Sequence, residues 1–508
     1  MDFSEKELAK FDFTISLVLL FNPKLVPKVP KPSESDFQDT KLLFYYPEDL
    51  VKPEEKRNQV GLIEGSYHFW DIFSSSPNNE NSNQANGFQI IYLEDYIHIL
   101  KEVENDFWLF LVIKPVLTGI TLKSIENEYL NLQSFSYSEN CFNEENCKKF
   151  LGHFYQTFFL FHGSFGSYFS IDNNCMNTNF NTMMRDYVKN YLFLNSNSGQ
   201  ILNILKYDFT GVNYSSIDKK KFLSMQYLIN ILQSIEKKLE HFALFYSGYL
   251  IFSTFDQKDL QLLYDYFYVS NNSCEIDLGK IMNKFEKINF EERENSTIYG
   301  ILNKPIGFPN GYLYGPLNLG DSKNVNGNKN DELVVFSPII SIFDPNKKMV
   351  IKHNLFTFFD KNLLLLMTCD INVSIEKSKF LDLQVAINTN SEKLSQNLEK
   401  QLLKIANQNE TYRMIYFNSM NLALKLSNKI SIPTLDFETL KFIDDIKTEL
   451  EKNNKLFVCF KKSMNYWIYG LKGNSRIVAF LIPGNVSFQK VEEEKDEIIK
   501  FFFSNIFI

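Results

Sequence analysis

Three times along this chain, a group of short apolar runs is followed by an amphipathic helical pattern. Short strands that end in such helices are typical of domains in which helices pack against an antiparallel sheet. The chain has 508 residues, which is too many for a single hydrophobic core. We therefore expect an α/β (α+β) protein of three domains in tandem, at residues 8–200, 218–408 and 410–508.

The first predicted domain follows the order β-β-α-β-β-β-α. It opens with the apolar run at residues 13–21, which we interpret as a buried strand rather than a signal peptide. A helix is predicted at residues 57–73, because apolar side chains recur there at helical spacing, at Val60, Ile63, Tyr67 and Trp70. A five-stranded antiparallel sheet with helices packed against it fits this order, and that is the arrangement of a longin domain.

The second and third predicted domains repeat mostly antiparallel sheets closed by helices. In the second, we expect a hairpin that turns at Ser247-Gly248, a helix capped by Asp218, and a long helix at residues 375–406. The apolar face of that long helix is expected to cover the second sheet, and an interfacial membrane helix is the alternative. Further helices are predicted at residues 218–239, 259–269, 437–453 and 491–503. Further strands are predicted at residues 311–315, 333–343, 349–359, 363–369, 412–417, 455–461, 465–471 and 476–482.

Charge and cysteine content narrow the class of protein. The formal net charge is −8, and a nucleic-acid-binding protein would be basic instead. The six cysteines show no CxxC spacing, so we expect reduced thiols in a cytoplasmic protein. No apolar run approaches the roughly 18 residues that span a bilayer, so any membrane contact is expected to be peripheral.

Catalytic motifs are missing from the sequence. It contains no P-loop, GxGxxG, HExxH or GxSxG pattern. The six histidines are dispersed, and none is paired at i, i+4 or placed beside a cysteine pair, at His68, His98, His153, His162, His241 and His353. We therefore expect no catalytic residue, no metal ligand and no cofactor, and an interaction protein rather than an enzyme.

Four segments, in order along the chain, resemble the Ccz-one family. Residues 42–69 read LLFYYPEDLVKPEEKRNQVGLIEGSYHF and are similar to its strand ending in F-Y-x-P followed by R-N-V-G-L-x-E. Residues 311–321, GYLYGPLNLGD, resemble its G-P-L-N-L-x-D element, and residues 415–422, IYFNSMNL, resemble its I-Y-F-N-x-M-N-L strand. A weaker likeness lies in Tyr466-Trp467 and residues 504–507. Gln59 departs from the family pattern as an extra residue between the R-N and V-G-L elements.

The resemblance implies a fold, partners and a function. The family is built from three longin domains and pairs with Mon-one, a longin protein of the same architecture. Together they form a heterodimeric guanine-nucleotide exchange factor for the late-endosomal GTPase Rab-seven, which drives endosome maturation, vesicle-mediated transport, fusion with the lysosome or vacuole, and autophagy. The complex acts downstream of Rab-five and of phosphatidylinositol 3-phosphate. The implied location is cytoplasmic, peripherally on late endosome, lysosome or vacuole membranes.

Candidate contact residues lie in the first domain. The twin glycines of the helix at residues 57–73 suggest close approach of another backbone. The partner or Rab interface is therefore predicted at Arg57, Gly61, Glu64, Gly65 and His68. A proline-rich loop carries candidate membrane contacts, at Lys24, Lys28 and Lys31. A purely structural role for this helix, and a merely solvated loop, are the alternatives.

Two other functions remain open at this point. A related longin pair would exchange nucleotide on a different Rab, as the Hermansky–Pudlak and planar-polarity pairs suggest. A trafficking adaptor would bind a Rab without exchanging its nucleotide. Preference for the nucleotide-free GTPase distinguishes an exchange factor from an adaptor.

Overall fold

The chain forms two compact units, Met1–Phe159 with Gly163–Asn203, and Leu160–His162 with Ile204–Ile508. Both are seen in a computed structural model. It describes residues 10–48, 51–74, 87–93, 96–118, 144–169, 178–196, 211–214, 217–267, 311–314, 316–317, 334–335, 339–344, 349–360, 363–373, 375, 377–407, 413–426, 437–452, 457–473, 475–485, 487–493 and 496.

The first unit is built on a five-stranded antiparallel sheet. Its strand order is β2-β1-β5-β4-β3. The strands are β1 (Lys10–Phe21), β2 (Leu42–Tyr46), β3 (Phe88–Tyr92), β4 (Ile97–Glu104) and β5 (Phe107–Thr118). Successive side chains Leu17, Val18 and Leu19 of β1 are all buried, so both faces of the sheet are covered.

Helices cover the two faces of this sheet. They are α1 (Glu34–Lys41), α2 (Pro53–Ser74), α3 (Glu144–His162) and α4 (Thr178–Ser196). Helix α2 packs on the face that carries Leu17, Trp108 and Phe110. Helix α3 lies on the other face, where Lys101 of β4 donates to the Lys148 carbonyl at 2.9 Å.

A carboxylate anchors the turn that follows α3. Glu104, the last residue of β4, accepts hydrogen bonds from the Tyr155 hydroxyl at 2.7 Å and from the backbone N–H groups of Phe165 and Gly166. Burial, together with this carboxylate, raises the pKa of the Tyr155 phenol well above its usual value. Glu104 therefore ties the 3₁₀ turn Phe165–Ser167 to the end of the sheet.

The second unit contains two six-stranded sheets. One has the order β12-β13-β14-β7-β8, with β9 also paired to β13. The other has the order β17-β18-β19-β15-β16-β6. Their strands are β6 (Val212–Asn213), β7 (Leu239–Tyr246), β8 (Tyr249–Ser253), β9 (Gly311–Tyr314), β12 (Ile339–Asp344), β13 (Met349–Asp360), β14 (Leu363–Asp370), β15 (Arg413–Asn418), β16 (Ala423–Leu426), β17 (Phe457–Lys462), β18 (Tyr466–Gly473) and β19 (Arg476–Pro483). A separate pair is formed by β10 (Pro316–Leu317) and β11 (Val334–Val335).

Among the described residues, four long helices pack against these sheets, and the helical residues 488–493 add a short one through the buried Val491. The long helices are α5 (Lys219–Ile235), α6 (Gln257–Phe267), α7 (Lys377–Asn407) and α8 (Phe437–Lys452). Helices α5 and α7 share one core with the face of β7 that carries Phe242 and Leu244. The ring of Tyr264 in α6 packs instead against Phe245, on the opposite face of that strand.

A short strand joins the two sheets of the second unit. Strand β6 pairs in parallel with β16 of one sheet, and its neighbour Tyr214 bridges to Leu250 of the other. A Cβ on Gly211 would lie 2.7 Å from the carbonyl oxygen of Leu422. Only glycine therefore allows the backbone to approach β16 this closely at the entry to β6.

The α+β fold with mostly antiparallel sheets is confirmed. The run at residues 13–21 is a strand, and the predicted hairpin turn has Ser247 and Gly248 at φ values of 47° and 79°. Both residues are left-handed, as a two-residue hairpin loop requires. Asp218 is an N-cap by position, although its side chain caps no backbone N–H. The three domain ranges stay a prediction; β6 lies between two of them and joins the third sheet.

Several boundaries require correction. Helices α1 and α4 and strand β16 are present where the sequence predicted none. Helix α2 begins at Pro53, a turn earlier than expected, because proline is well tolerated in the first turn of a helix. Helix α5 ends at Ile235 rather than 239, since β7 begins at Leu239. Most of the predicted final helix at 491–503 lies outside the described residues.

Candidate interface on the first unit

Helix α2 buries one stripe and leaves the opposite side polar. Val60 is fully buried and Ile63 is 1% exposed, both against β1 and β5. Tyr67 packs edge-on against Trp108, with ring centroids 5.3 Å apart. These three side chains form the inward stripe that the periodicity predicted; the side chain of Trp70 lies outside the described residues.

Helix α1 lies along the polar side of α2. It begins with a reciprocal cap, in which Ser33 accepts from the Asp36 N–H and its own N–H donates to Asp36. No residue of α1 is buried, so it attaches to α2 through polar contacts. Arg57 donates two hydrogen bonds to Asp39, at 2.9 and 2.7 Å from its Nε and Nη2 atoms. Asp39 raises the pKa of the Arg57 guanidinium further.

The first glycine of the predicted contact face is covered by the same helix. A Cβ on Gly61 would lie 3.5 Å from Nε2 of Gln38 in α1. One turn further on, Lys41 of α1 forms an ion pair with Glu64, and both side chains are largely buried, at 13% and 23% exposure. The close approach that the glycine pair suggested is, at Gly61, an approach by α1 of this chain.

The second glycine belongs to an open part of α2. A Cβ on Gly65 would meet no atom of the described residues within 4 Å. Leu62 is 49% exposed beside it, and His68 is exposed, with its Nε2 atom 3.6 Å from Glu64. We call Leu62, Gly65 and His68 the open face of α2. The predicted set thus divides: α1 engages Arg57, Gly61 and Glu64, whereas Gly65 and His68 lie on the open face.

The first of the four segments that resemble the Ccz-one family, residues 42–69, also connects β2 to α2. The Tyr45 hydroxyl donates to Oε1 of Gln59 at 2.7 Å, and the ammonium of Lys56 lies 5.2 Å from the centre of the same ring. Burial raises the pKa of Tyr45. Gln59, the residue that departs from the family pattern, therefore has a structural partner in the F-Y-x-P strand.

The proline-rich loop before α1 presents both charge and apolar surface. Lys24 forms an ion pair with Asp106 at 2.7 Å, and this carboxylate raises the pKa of the lysine. Lys28 and Lys31 are exposed. Between the lysines, Val26 and Val29 are 62% and 56% exposed. One of the three candidate lysines is thus committed to an internal pair, whereas two exposed valines join the loop's outer surface.

The part of the chain that the structure describes adds two facts on ligands and membranes. Its only group of three metal-ligating side chains lies in the second unit, at Glu240, His241 and His353. None of its helices combines the length and the hydropathy needed to cross a bilayer.

Comparison with known proteins places this architecture in a class. Residues 16–163 match the family model described as the first longin domain of INTU, CCZ1 and HPS4. With its mostly antiparallel sheets and covering helices, the chain is a longin-domain protein.

Full-length relatives narrow the class. The chain is 23% identical to the vacuolar fusion protein CCZ1 homolog of Xenopus laevis, over 96% of both chains. It is 25% identical to the homolog of Dictyostelium discoideum, over 91% of this chain and 92% of that one. For Nematostella vectensis the identity is 23%, over 94% and 95%. The chain belongs to the CCZ1 (Ccz-one) family of vacuolar fusion proteins.

Proposed function

We propose that this chain is one subunit of a heterodimeric guanine-nucleotide exchange factor, paired with a Mon-one-type longin protein and acting on a Rab-seven-type GTPase. The observation that carries the proposal is the similarity to CCZ1 homologs along 96% of the chain. The first-domain family model also covers INTU and HPS4, so it supports the longin class rather than the choice of Rab. The full-length relatives favour the Ccz-one assignment.

Exchange requires binding rather than covalent chemistry from the protein. A factor that binds nucleotide-free Rab more tightly than nucleotide-bound Rab lowers the barrier to loss of GDP. Such a surface must match the Rab in shape and polarity, but it needs no activated nucleophile. In the cell, the complex would act peripherally on late endosome, lysosome or vacuole membranes, downstream of Rab-five and phosphatidylinositol 3-phosphate, in endosome maturation and autophagy.

The open face of α2 is the part of the first unit that we assign to the partner or the Rab. Leu62 offers exposed apolar surface, and Gly65 allows another chain to approach the helix backbone. His68 adds a polar edge at 62% side-chain exposure. Arg57, Gly61 and Glu64 support this surface indirectly, because they hold α1 beside it.

The first experiment is co-purification with the Mon-one partner, followed by release of fluorescent GDP from Rab-seven and from a control Rab. Fast release that is selective for Rab-seven and requires both chains supports the proposal. A stable complex that releases no nucleotide from any Rab would instead indicate an adaptor. Release from a different Rab would place the chain with the related longin pairs.

Matched variants test the surface assignment. Gly65→Leu and Leu62→Glu should reduce partner binding or exchange at least tenfold while leaving the chain folded, because the described residues of the unit cover neither site. Leu223→Glu is the control, since Leu223 is a similarly exposed leucine, at 52%, on α5. Gly61→Leu is less informative, because its side chain would meet α1 first. Equal activity of Gly65→Leu and wild type would remove the open face from the proposal.

We further assign weak membrane attraction to the loop that contains Lys24, Lys28 and Lys31. Exposed Val26 and Val29 favour this assignment, because apolar side chains between cations suit an anionic interface. Flotation of the complex with vesicles that contain phosphatidylserine and phosphatidylinositol 3-phosphate tests it. Lys28→Glu with Lys31→Glu should reduce the bound fraction, whereas Lys219→Glu with Lys220→Glu, at two exposed lysines of α5, serves as the charge-matched control. If the loop variant floats with the vesicles as well as wild type does, the loop is merely solvated and does not contact the membrane.

A further inference from the structure

A β-bulge in the second unit places two chemically useful side chains next to each other. In the pairing of β7 with β14, His241 lies opposite Thr368 and Leu239 lies opposite Cys369. Glu240 is therefore an extra residue on β7, and the register shifts at this point. Bulges redirect side chains, and here the bulge brings the carboxylate of Glu240 beside the imidazole of His241.

A third side chain reaches the same point from another strand. His353 of β13 lies opposite Asp370 of β14, two residues from Thr368, and so shares a face of the sheet with His241. Nε2 of His353 lies 3.0 Å from Oε2 of Glu240. The two imidazole centroids are 5.6 Å apart, and one ligand atom from each of the three side chains lies within 4.8 Å of the others.

Both imidazoles are held through the same nitrogen. Nδ1 of His241 lies 3.4 Å from the Thr254 carbonyl oxygen, and Nδ1 of His353 lies 3.3 Å from that of Ile351. A carbonyl oxygen can only accept, so the Nδ1 contact of each ring forms when Nδ1 carries a proton. Nε2 of His241 then keeps its lone pair, whereas Nε2 of His353 faces the Glu240 carboxylate. Metal-binding histidines typically donate their second N–H in this way, which orients the ring toward the metal.

An ion pair between Glu240 and His353 explains only part of this arrangement. It leaves Nε2 of His241 with no hydrogen-bond partner among the described residues. Beside it, the hydroxyl of Thr368 is completely buried and also lacks a hydrogen-bond partner within the described part of the chain. Nε2 of His241 is therefore available to a ligand that also engages the nearby carboxylate of Glu240.

We propose that Glu240, His241 and His353 bind a divalent transition metal, with Zn²⁺ as the best match. Two neutral imidazoles and one carboxylate form a set that Zn²⁺ accepts, with a fourth position left for water. Bonds of about 2.0–2.2 Å place tetrahedral ligands roughly 3.4 Å apart. The half-exposed Glu240 side chain is free to make the small rotation that this requires, at 51% exposure. This assignment is independent of the proposed exchange function.

Bound metal would connect β7 to β13 across β14, the strand between them. Since a ligand that binds only the folded state stabilises it, Zn²⁺ should raise the thermal unfolding temperature of the chain. His241 and His353 are far apart in sequence, so the unfolded chain holds no equivalent site. The stabilisation should therefore need all three ligands.

The test is competitive titration of Zn²⁺ into chelator-treated full-length chain with a chromophoric indicator, together with thermal unfolding in Zn²⁺. We expect one equivalent bound at micromolar affinity or tighter. Glu240→Gln and His241→Gln should each weaken binding at least tenfold and remove the thermal shift. His68→Gln is the matched control, because His68 forms an ordinary helical pair with Glu64. His353→Gln is secondary, since burial of His353 exposes that variant to misfolding.

Two results would overturn the assignment. One is wild-type chain that binds no Zn²⁺ at micromolar concentration. The other is binding that Glu240→Gln and His241→Gln leave unchanged, or that His68→Gln lowers to the same extent. Glu240 is exposed enough that its amide variant should fold normally, so a loss of binding there reports on the ligand itself.

Discussion

Helices meet by opposite means in the two units. In the first unit, α1 lies against α2 without burying a single residue, and ion pairs such as Lys41–Glu64 join the two helices. In the second unit, α5 and α7 share an apolar core that includes Leu232 and Ile387, both fully buried. One ion pair, Lys379–Glu236, at 3.0 Å, borders that core.

The contrast distinguishes helices that share a hydrophobic core, α5 and α7, from a helix that only lies over its neighbour, α1. Apolar burial contributes in proportion to area and is not screened by salt, so the contact between α5 and α7 should be the more stable one. Exposed ion pairs contribute little each and are screened by salt, and a largely buried pair such as Lys41–Glu64 is screened less. A helix that is held mainly by polar contacts and has no fully buried residue should cost less free energy to displace than one in an apolar core. We infer that α1 is the more replaceable of these elements, next to the surface that we assign to a partner.

The largest loss of stability should come from disrupting the apolar contact between α5 and α7. Ile387→Ala in α7 should lower the free energy of unfolding of the second unit by about 3 kcal/mol, because it removes a buried side chain and leaves a cavity. Val385→Ala on the same helix is the control, since Val385 is 64% exposed. Chemical denaturation measures both. A loss below about 1 kcal/mol for Ile387→Ala would remove the contrast between the units.

Removal of the partly buried Glu104 carboxylate should have the second largest effect on stability, which would show that polar contacts in the first unit are not uniformly weak. Glu104→Ala leaves the Phe165 and Gly166 N–H groups and the Tyr155 hydroxyl without their acceptor. Loss of hydrogen bonds to a charged group should cost about 2 kcal/mol. Glu104→Gln keeps one acceptor oxygen and should cost less. Equal stability of all three proteins by chemical denaturation would refute the anchoring role.

The same contrast explains what the sequence could predict. Elements with an apolar stripe or an apolar run, such as α2, α7 and β1, were found, because burial imposes a period on the sequence. Helix α1 has no buried residue, so no period marks it, and the cap at Ser33 and Asp36 was its only signal. Helix α4 could have been predicted, because its buried residues Phe180, Met184 and Tyr187 lie at helical spacing.

Site geometry was less accessible from the sequence. The candidate residues of α2 lie on one side of the helix, but their division between Gly61 and Gly65 depends on α1, which the sequence did not indicate. His241 and His353 come together through strand order and a bulge, and neither is encoded in local spacing. Local patterns therefore predicted elements, whereas contacts between distant elements required the structure.

A titrating carboxyl provides a third test, within the second unit. Burial raises the pKa of Asp259 to about 6, although the Phe343 N–H donates to it at 2.7 Å. This pKa is higher than in the unfolded chain, so the stabilising contribution is complete below pH 3.8 and is lost as pH rises through about 6.

Asp259→Asn should remove this pH dependence. We expect the variant to be about 1 kcal/mol more stable than wild type above pH 7, and the difference to vanish near pH 4. Denaturation midpoints measured from pH 4 to pH 8 test this expectation. Asp382→Asn is the control, since Asp382 is an exposed aspartate on α7. A wild-type advantage that grows with pH would mean that the hydrogen bond to Phe343 outweighs burial of the charge.

The smallest expected energy is the coupling between Lys41 of α1 and Glu64 of α2, and it tests how firmly α1 is attached. A double-mutant cycle of Lys41→Met and Glu64→Gln should give a coupling energy of about 0.5 kcal/mol that falls further in high salt. His68 lies 3.6 Å from Glu64, so His68→Gln in the same background shows whether the coupling belongs to α1 or to α2 alone. A coupling energy above about 2 kcal/mol that persists in salt would make α1 a fixed part of the first unit. Any partner would then have to bind over α1 rather than displace it.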